Sequence, residues 1–314
     1  MDKVKQYLEA TKYKNHNIEV ASADASFRKY YRIRSNEESL LLMDASLEKE
    51  SLHPFLDVTQ RLRQVGVQAP KVFEKSLENG YLIIEDFGDS HYLQNLNEYT
   101  FKELYSKAID EIVKMQEADV KELPLYDKAF LRFEMDLMRE WYLEKKLKKS
   151  LNEKQESILN NALEAIVSVV LSQPQSYFVH RDFHSRNIML EKNGEIGVID
   201  YQDAMSGAIT YDLVSLLKDC YIEFEREEIE KLALAFKKRK FIDVSDTLFL
   251  KWFDFMGMQR HIKVLGVFSR LHLRDGKDGY LKDIPLTLKY LLETAKRYDE
   301  TKELHALLIE LTSS

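Results

Sequence analysis

Apolar positions divide this chain into two regimes. Between residue 18 and about residue 85 they gather in short β-prone runs. Tyr30-Tyr-Arg-Ile33 and Leu40-Leu-Leu-Met43 flank the polar Ser35-Asn-Glu-Glu-Ser39, and Val72-Phe73 and Tyr81-Leu-Ile-Ile84 flank the turn signal Asn79-Gly80. Residues 1–15 read as a short helix, and Phe55, Val58, Leu62 and Val65 keep helical spacing until Gly66 ends the run. Beyond residue 90 the period is helical in segments 100–118, 130–149, 153–171, 210–220, 225–240, 247–267 and 286–298. One β island interrupts them: Ser176-Tyr-Phe-Val179, then Asn187-Ile-Met-Leu190 and Glu195-Ile-Gly-Val-Ile-Asp200 on either side of Asn193-Gly194. The pattern predicts a bilobal α+β fold. A small β-rich lobe covers residues 1–85, a hinge lies near 85–90, and a large helical lobe over 86–314 contains the β island.

Composition narrows the class without naming it. The 314 residues are 45 % apolar, enough for a core in each lobe. A net charge of −7 argues against nucleic acid as a partner, since no pervasive basic surface is implied. Cys220 is the single cysteine, so no intramolecular disulfide can form, as expected in the reducing cytoplasm. The first twenty residues are polar and charged, and the longest apolar stretches, such as 165–171, fall far short of a membrane span. A cytoplasmic monomer with no membrane partner is the expectation.

The chemistry is concentrated at His180-Arg-Asp-Phe-His-Ser-Arg-Asn187 and Ile199-Asp200. An Asp, an Asn five positions later and an Asp thirteen beyond that is the spacing of a kinase-type phosphoryl-transfer site. In such a site Asp182 orients the acceptor hydroxyl and takes its proton, while Asn187 and Asp200 hold Mg²⁺ on the phosphates of ATP. The Asn193-Gly194 turn folds the two β-prone runs into a hairpin that returns Asp200 to Asn187. His180 is read as a structural residue holding the loop. No G-x-x-x-x-G-K-[ST] occurs, no cysteine–histidine cluster suggests zinc, and Asp200-Tyr-Gln202 with no later A-P-E argues against a protein kinase.

The chain resembles the aminoglycoside phosphotransferase family of small-molecule kinases over nearly its whole length, which implies a bilobal protein-kinase-like fold. The stretches Val179 through Asn187, Val198-Ile-Asp-Tyr-Gln-Asp203 and Gly207 through Leu216 carry the likeness. Within that family it is most similar to the sugar kinases of cell-wall (peptidoglycan) recycling. Asp24-Ala-Ser-Phe-Arg28 with Tyr31-Arg32, Leu42-Met-Asp-Ala45, Ile84-Glu-Asp-Phe-Gly-Asp89, Gly257-Met-Gln-Arg-His-Ile-Lys263 and Arg270 through Lys277 support the narrower likeness. It implies phosphorylation of the anomeric hydroxyl of N-acetylmuramate and N-acetylglucosamine.

Site residues follow from motif and resemblance together. Asp24 through Arg32 takes the place of the loop that covers the phosphates, but holds no glycine. The lysine that most kinases carry on the third strand is also missing, Met43 or a leucine standing there. Arg28 is therefore the expected phosphate contact, with Arg32 in reserve. Glu85 and Phe87 mark the hinge, where adenine would bond the backbone. Asp212 is expected to start a helix and tie it to the catalytic loop. Arg186, Asp203, Arg260 and Arg274 are the expected substrate contacts, the last two from a basic stripe at 260, 263, 270 and 274 suited to an anionic acceptor. For Arg186 an ion pair with a structural carboxylate stays open, and for Asp203 a helix cap; the stripe could also be a solvated face. Two other functions remain open as well: a kinase of another small alcohol, such as an aminoglycoside, choline or a metabolite, and a nucleotide-binding pseudokinase.

Overall fold

In the computed structural model, residues 2–22 and 28–313 are described. Their elements run α1 (Asp2–Glu9), β1 (Asn17–Ser22), β2 (Lys29–Arg34), β3 (Ser39–Asp44), α2 (Leu52–Gln64), β4 (Val72–Ser76), β5 (Tyr81–Glu85), α3 (Tyr92–Asn95), α4 (Phe101–Met115), α5 (Lys128–Leu137), α6 (Glu153–Ser172), β6 (Tyr177–Val179), β7 (Ile188–Leu190), β8 (Ile196–Val198), β9 (Met205–Gly207), α7 (Tyr211–Leu217), α8 (Arg226–Arg239), α9 (Asp246–Asp275), α10 (Ile284–Ala295) and α11 (Lys302–Thr312). They group into two compact units: Met1–His91 with Asn187–Asp203, and Tyr92–Arg186 with Ala204–Ser314.

The first unit is built on an antiparallel sheet in the order β1-β2-β3-β5-β4. Strand alternation sends Tyr31, Ile33, Leu40, Leu42, Tyr81 and Ile83 to one face, where Val4, Leu8 and Tyr13 close a core over them. The β7–β8 hairpin belongs with this sheet, not with the helices as the sequence pattern suggests. The reason is local packing. Val198 N–H donates to the Gln68 carbonyl (2.8 Å), Leu190 N–H to the Ser90 carbonyl (2.8 Å), and the Phe87 ring lies so close to Gly197 that a Cβ there would come within 2.4 Å of it.

The second unit surrounds α9, a helix of 30 residues capped by the Ser245 hydroxyl at its start and by left-handed Gly276 at its end. It is buried nearly all round from Phe249 to Phe268, with Asp254, Gln259, Arg260 and His261 among its buried residues, and packs against α5, α6, α7, α8 and α10. The expected helix over 130–149 is α only to Leu137 and continues as a π-helix over Met138–Lys146. The β island is also more than the hairpin, because β6 pairs with β9. α11 was not predicted, although Leu304, Leu307, Leu308 and Leu311 carry the helical period. No described helix is long and apolar enough to cross a membrane.

Candidate active site

In the helical unit the catalytic loop leaves β6 at Val179 and is clamped from beneath by two buried carboxylates. Asp212, at the start of α7, accepts the backbone N–H groups of His180 (2.8 Å) and Arg181 (3.1 Å). This is the tie expected from the sequence. Asp219, just past α7, accepts from Ser185 through both its N–H (2.9 Å) and its hydroxyl. Burial pushes both carboxyls up, Asp212 to about 6, against the pull of His180 and the backbone donors. Within the loop, His180 Nδ1 accepts from the Asp182 N–H (3.3 Å), and Arg181 takes a left-handed φ of 76°. A non-glycine residue is held there only when its surroundings over-determine it, and the Asp212 bond does so.

The clamp presents Asp182 with a side chain still 42 % exposed. Behind it stand three cations, Arg260 buried and Lys263 and Arg181 half-buried. Arg260, 3 % exposed, places Nη2 at 3.7 Å from Asp182 Oδ1. Lys263, one turn further along α9, shares the buried Glu134 with Arg181 at 3.1 Å and 2.6 Å. Glu134 also accepts from Tyr126 and from Gln259 (3.3 Å). Burial alone would raise the Asp182 carboxyl. The cations Lys263, Arg260 and Arg181 overcome it and hold the group well below the usual carboxylate range. His184 is driven the other way, down to about 3, chiefly by burial, so it is neutral at physiological pH.

The other expected acceptor contacts on this unit separate. Arg186 lays its guanidinium 3.6 Å over the Tyr221 ring and 3.6 Å from Asp283. Arg274 is exposed and paired with its neighbour Asp275 (2.7 Å). Its Cα is fourteen helical residues from that of Arg260, about 21 Å along the axis. The two cannot close on one monosaccharide, so Arg274 does not join the group around Asp182.

In the sheet unit the hairpin sets Asn187 beside Asp200, with Nδ2 donating to Oδ2 at 3.2 Å. Asp200 has a left-handed φ of 65°, and the next residue, Tyr201, anchors it. The Tyr201 ring stacks on Phe55 of α2, and its hydroxyl meets Thr59 Oγ1 at 2.7 Å. Gln202 bridges Asp200 (3.0 Å) and the exposed Asp203 (3.4 Å). Among the described residues, no group of three or more His, Cys, Asp and Glu side chains could hold a metal. A pair of oxygen-bearing side chains nevertheless suits Mg²⁺, which keeps several waters and takes further oxygens from substrate phosphates.

The expected nucleotide contacts fare unevenly. Residues 23–27 of the phosphate-covering segment lie outside the described residues. Arg28 is buried and donates from Nε to the Ser51 hydroxyl (3.3 Å) beside the start of α2. Arg32 is already engaged: it is bidentate to Asp86 (2.7 and 3.0 Å) and bonds Asp89 as well (2.7 Å), which leaves it no part as a ready phosphate cation. Glu85 accepts from the Lys71 N–H (3.0 Å), and Phe87 is the buried ring against Gly197. Glu134 and Tyr201 were not foreseen. Glu134 is one carboxylate among many charges on an amphipathic helix, and Tyr201 follows Asp200 as an ordinary aromatic.

The family model described as "Phosphotransferase enzyme family" matches residues 17–245. The N-acetylmuramate/N-acetylglucosamine kinase of Neisseria meningitidis serogroup B is 38 % identical to the chain, covering 98 % of it and 95 % of that protein. The protein of the same name in Pseudomonas aeruginosa is also 38 % identical, covering 93 % and 87 %. Among solved structures, an ADP-bound aminoglycoside phosphotransferase matches with TM-score 0.64 at 16 % identity, covering 93 % of this chain and 98 % of that one. A choline kinase from Streptococcus pneumoniae matches with TM-score 0.66 at 13 % identity over the same shares. At such identities the likeness is one of fold.

Proposed function

Because the chain belongs to the phosphotransferase enzyme family, we propose that it transfers the γ-phosphoryl group of ATP to the anomeric hydroxyl of N-acetylmuramate and N-acetylglucosamine. The products are the sugar 1-phosphate and ADP. The observation that carries the reading is the catalytic loop that Asp212 clamps through the His180 and Arg181 N–H groups, which presents the Asp182 side chain 42 % exposed as a proton acceptor. The acceptor is supported by the names of the two relatives, each similar over nearly the whole chain. We place the reaction in the cytoplasm, in the salvage of peptidoglycan sugars.

Asp182 accepts the proton of the sugar hydroxyl as its oxygen bonds to the γ-phosphorus and the bond to the ADP oxygen breaks. Asn187 and Asp200 would hold Mg²⁺, which neutralises charge on the phosphates when bound. Phe55, Thr59 and Gln202 keep Asp200 in place for that task. Glu134, Lys263 and Arg181 brace the base from behind. Cationic acceptors such as choline or an aminoglycoside fit poorly beside Arg260, Lys263 and Arg181.

The test is ADP release by the purified protein with ATP and Mg²⁺, offering N-acetylmuramate, N-acetylglucosamine, choline and kanamycin. Turnover should be confined to the amino sugars and fall at least a hundredfold in Asp182→Asn. Turnover with choline or kanamycin alone would reject the acceptor.

A further inference from the structure

The helical unit holds a cavity of about 540 Å³ that the proposed reaction does not use. None of the residues facing Asp182 lines it, and neither does any residue of the catalytic loop over 180–187. Its walls come from Glu98 before α4, the end of α7, the start of α8, and α9 and α10. A volume of this size suits one small organic molecule.

Two rings in the wall are fixed from behind. Phe224 stacks on Phe101 with 4.2 Å between centroids, and Tyr290 stacks on His261 at 5.2 Å while its hydroxyl donates to the Ile222 carbonyl (3.3 Å). The polar groups divide by depth. In the floor, Lys218 Nζ donates to Asp254 (2.8 Å) and to Thr294 Oγ1 (3.3 Å), and stands 5.2 Å from the centre of the Phe253 ring. An ammonium has three N–H groups, and a hydroxyl that accepts still has an O–H to give. Among the described residues no oxygen accepts the third N–H of Lys218 or the O–H of Thr294, although these side chains are 4 % and 2 % exposed. Buried donors without acceptors are costly, and oxygens on a bound molecule would satisfy them.

At the mouth the demand is opposite. Five glutamates line the cavity against Lys218, Arg226 and Lys289. Those cations are already held: Lys218 and Arg226 by Asp254, Arg226 also by Glu230 (2.6 Å), and Lys289 by Glu223 (2.6 Å). Among the described residues Glu98 and Glu225 have no ion-pair partner, and Glu293 has only Lys289 at 3.9 Å. All three are exposed. The mouth therefore attracts a cation and repels phosphates and carboxylates.

We propose that this cavity is a second ligand site, which takes a hydroxylated organic amine of the amino-sugar class: its ammonium at Glu98, Glu225 and Glu293, its oxygens at Lys218 and Thr294, its ring against Phe224 and Tyr290. The site is separate from the acceptor place and does not depend on Asp182 being the base.

The experiment is isothermal titration calorimetry with D-glucosamine, at a pH where its amine is protonated, and with N-acetylglucosamine, the same ring without the charge. The proteins are wild type and the double variant Glu225→Gln, Glu293→Gln, whose exposed positions leave the fold intact, as circular dichroism checks. Glucosamine should bind the wild type with a Kd of about 1 mM or tighter, and the double variant about tenfold more weakly. N-acetylglucosamine should bind the two proteins alike, because a place beside Asp182 is untouched by the substitutions. No binding of glucosamine to the wild type by about 10 mM would overturn the proposal. Equal affinity of glucosamine for both proteins would put the amine elsewhere and overturn it as well. A matching loss for N-acetylglucosamine would show that the mouth does not read charge, and would overturn the class of ligand.

Discussion

Helix α9 contains two interior glycines, and the structure assigns opposite signs to the same substitution at them. In a helix interior, Gly→Ala gains about 1 kcal/mol from backbone entropy. At Gly257 nothing opposes that gain. An added Cβ would stand 3.4 Å from Lys218 Cδ, 3.6 Å from its Nζ and 3.7 Å from Val214 Cγ1, all ordinary contacts. At Gly266 the Cβ would fall 2.4 Å from the Leu137 carbonyl carbon and 2.6 Å from its oxygen. That is about 1 Å short of contact with backbone that no rotamer change can move, so the overpacking cost should reach about 3 kcal/mol. The net expectation is about 1 kcal/mol stabilising for Gly257→Ala and about 2 kcal/mol destabilising for Gly266→Ala. In thermal melts followed by circular dichroism, that is about 1.5 °C up and about 3 °C down for 314 residues. Gly266→Ala should also lower turnover, because Leu137 ends α5, whose Glu134 pairs with Lys263 of α9. A Gly266→Ala protein melting at or above the wild type, or two variants shifting the same way, would refute the account of how these helices meet.

Three further outcomes are expected. Arg32→Met leaves the Asp86 carboxylate, 3 % exposed, with donors from Ser39 and the Gly88 N–H but without its cation, and should cost about 3 kcal/mol in urea denaturation; an unchanged midpoint would mean the pair is dispensable. Asp212 is raised in the folded state to about 6 from 3.8, so the fold holds that proton more tightly. Its contribution to stability is full below pH 3.8 and is lost as pH rises to about 6, by at most about 1.4 kcal/mol per pH unit. The stability difference between wild type and Asp212→Asn should therefore shrink from pH 4 to pH 6.5, and a difference that grows would reverse the sign. Arg274→Ala removes an exposed side chain paired only locally in sequence, and should leave acceptor KM, kcat and the melting midpoint unchanged; a raised KM would return Arg274 to the acceptor site.

The sequence by itself determined what is local. Strands β2 to β5 and most helices are legible because period and turn chemistry act over a few residues. The Asn187–Asp200 pair is legible for the same reason: a hairpin closed at Asn193-Gly194 leaves the chain little choice about where its ends go. The Asp212 tie could be expected only through the resemblance. What the tertiary structure alone decided is which partner each polar face meets. Arg32 reads as a free basic residue until Asp86 and Asp89, more than fifty positions away, are folded against it. The basic stripe of α9 reads as one face for one anion, yet a straight helix spreads it over about 21 Å, so Arg260 backs Asp182 while Arg274 stays in solvent. A helical period fixes which residues share a side. It carries no information about what packs there, and charge acts on whatever packing brings within a few ångströms.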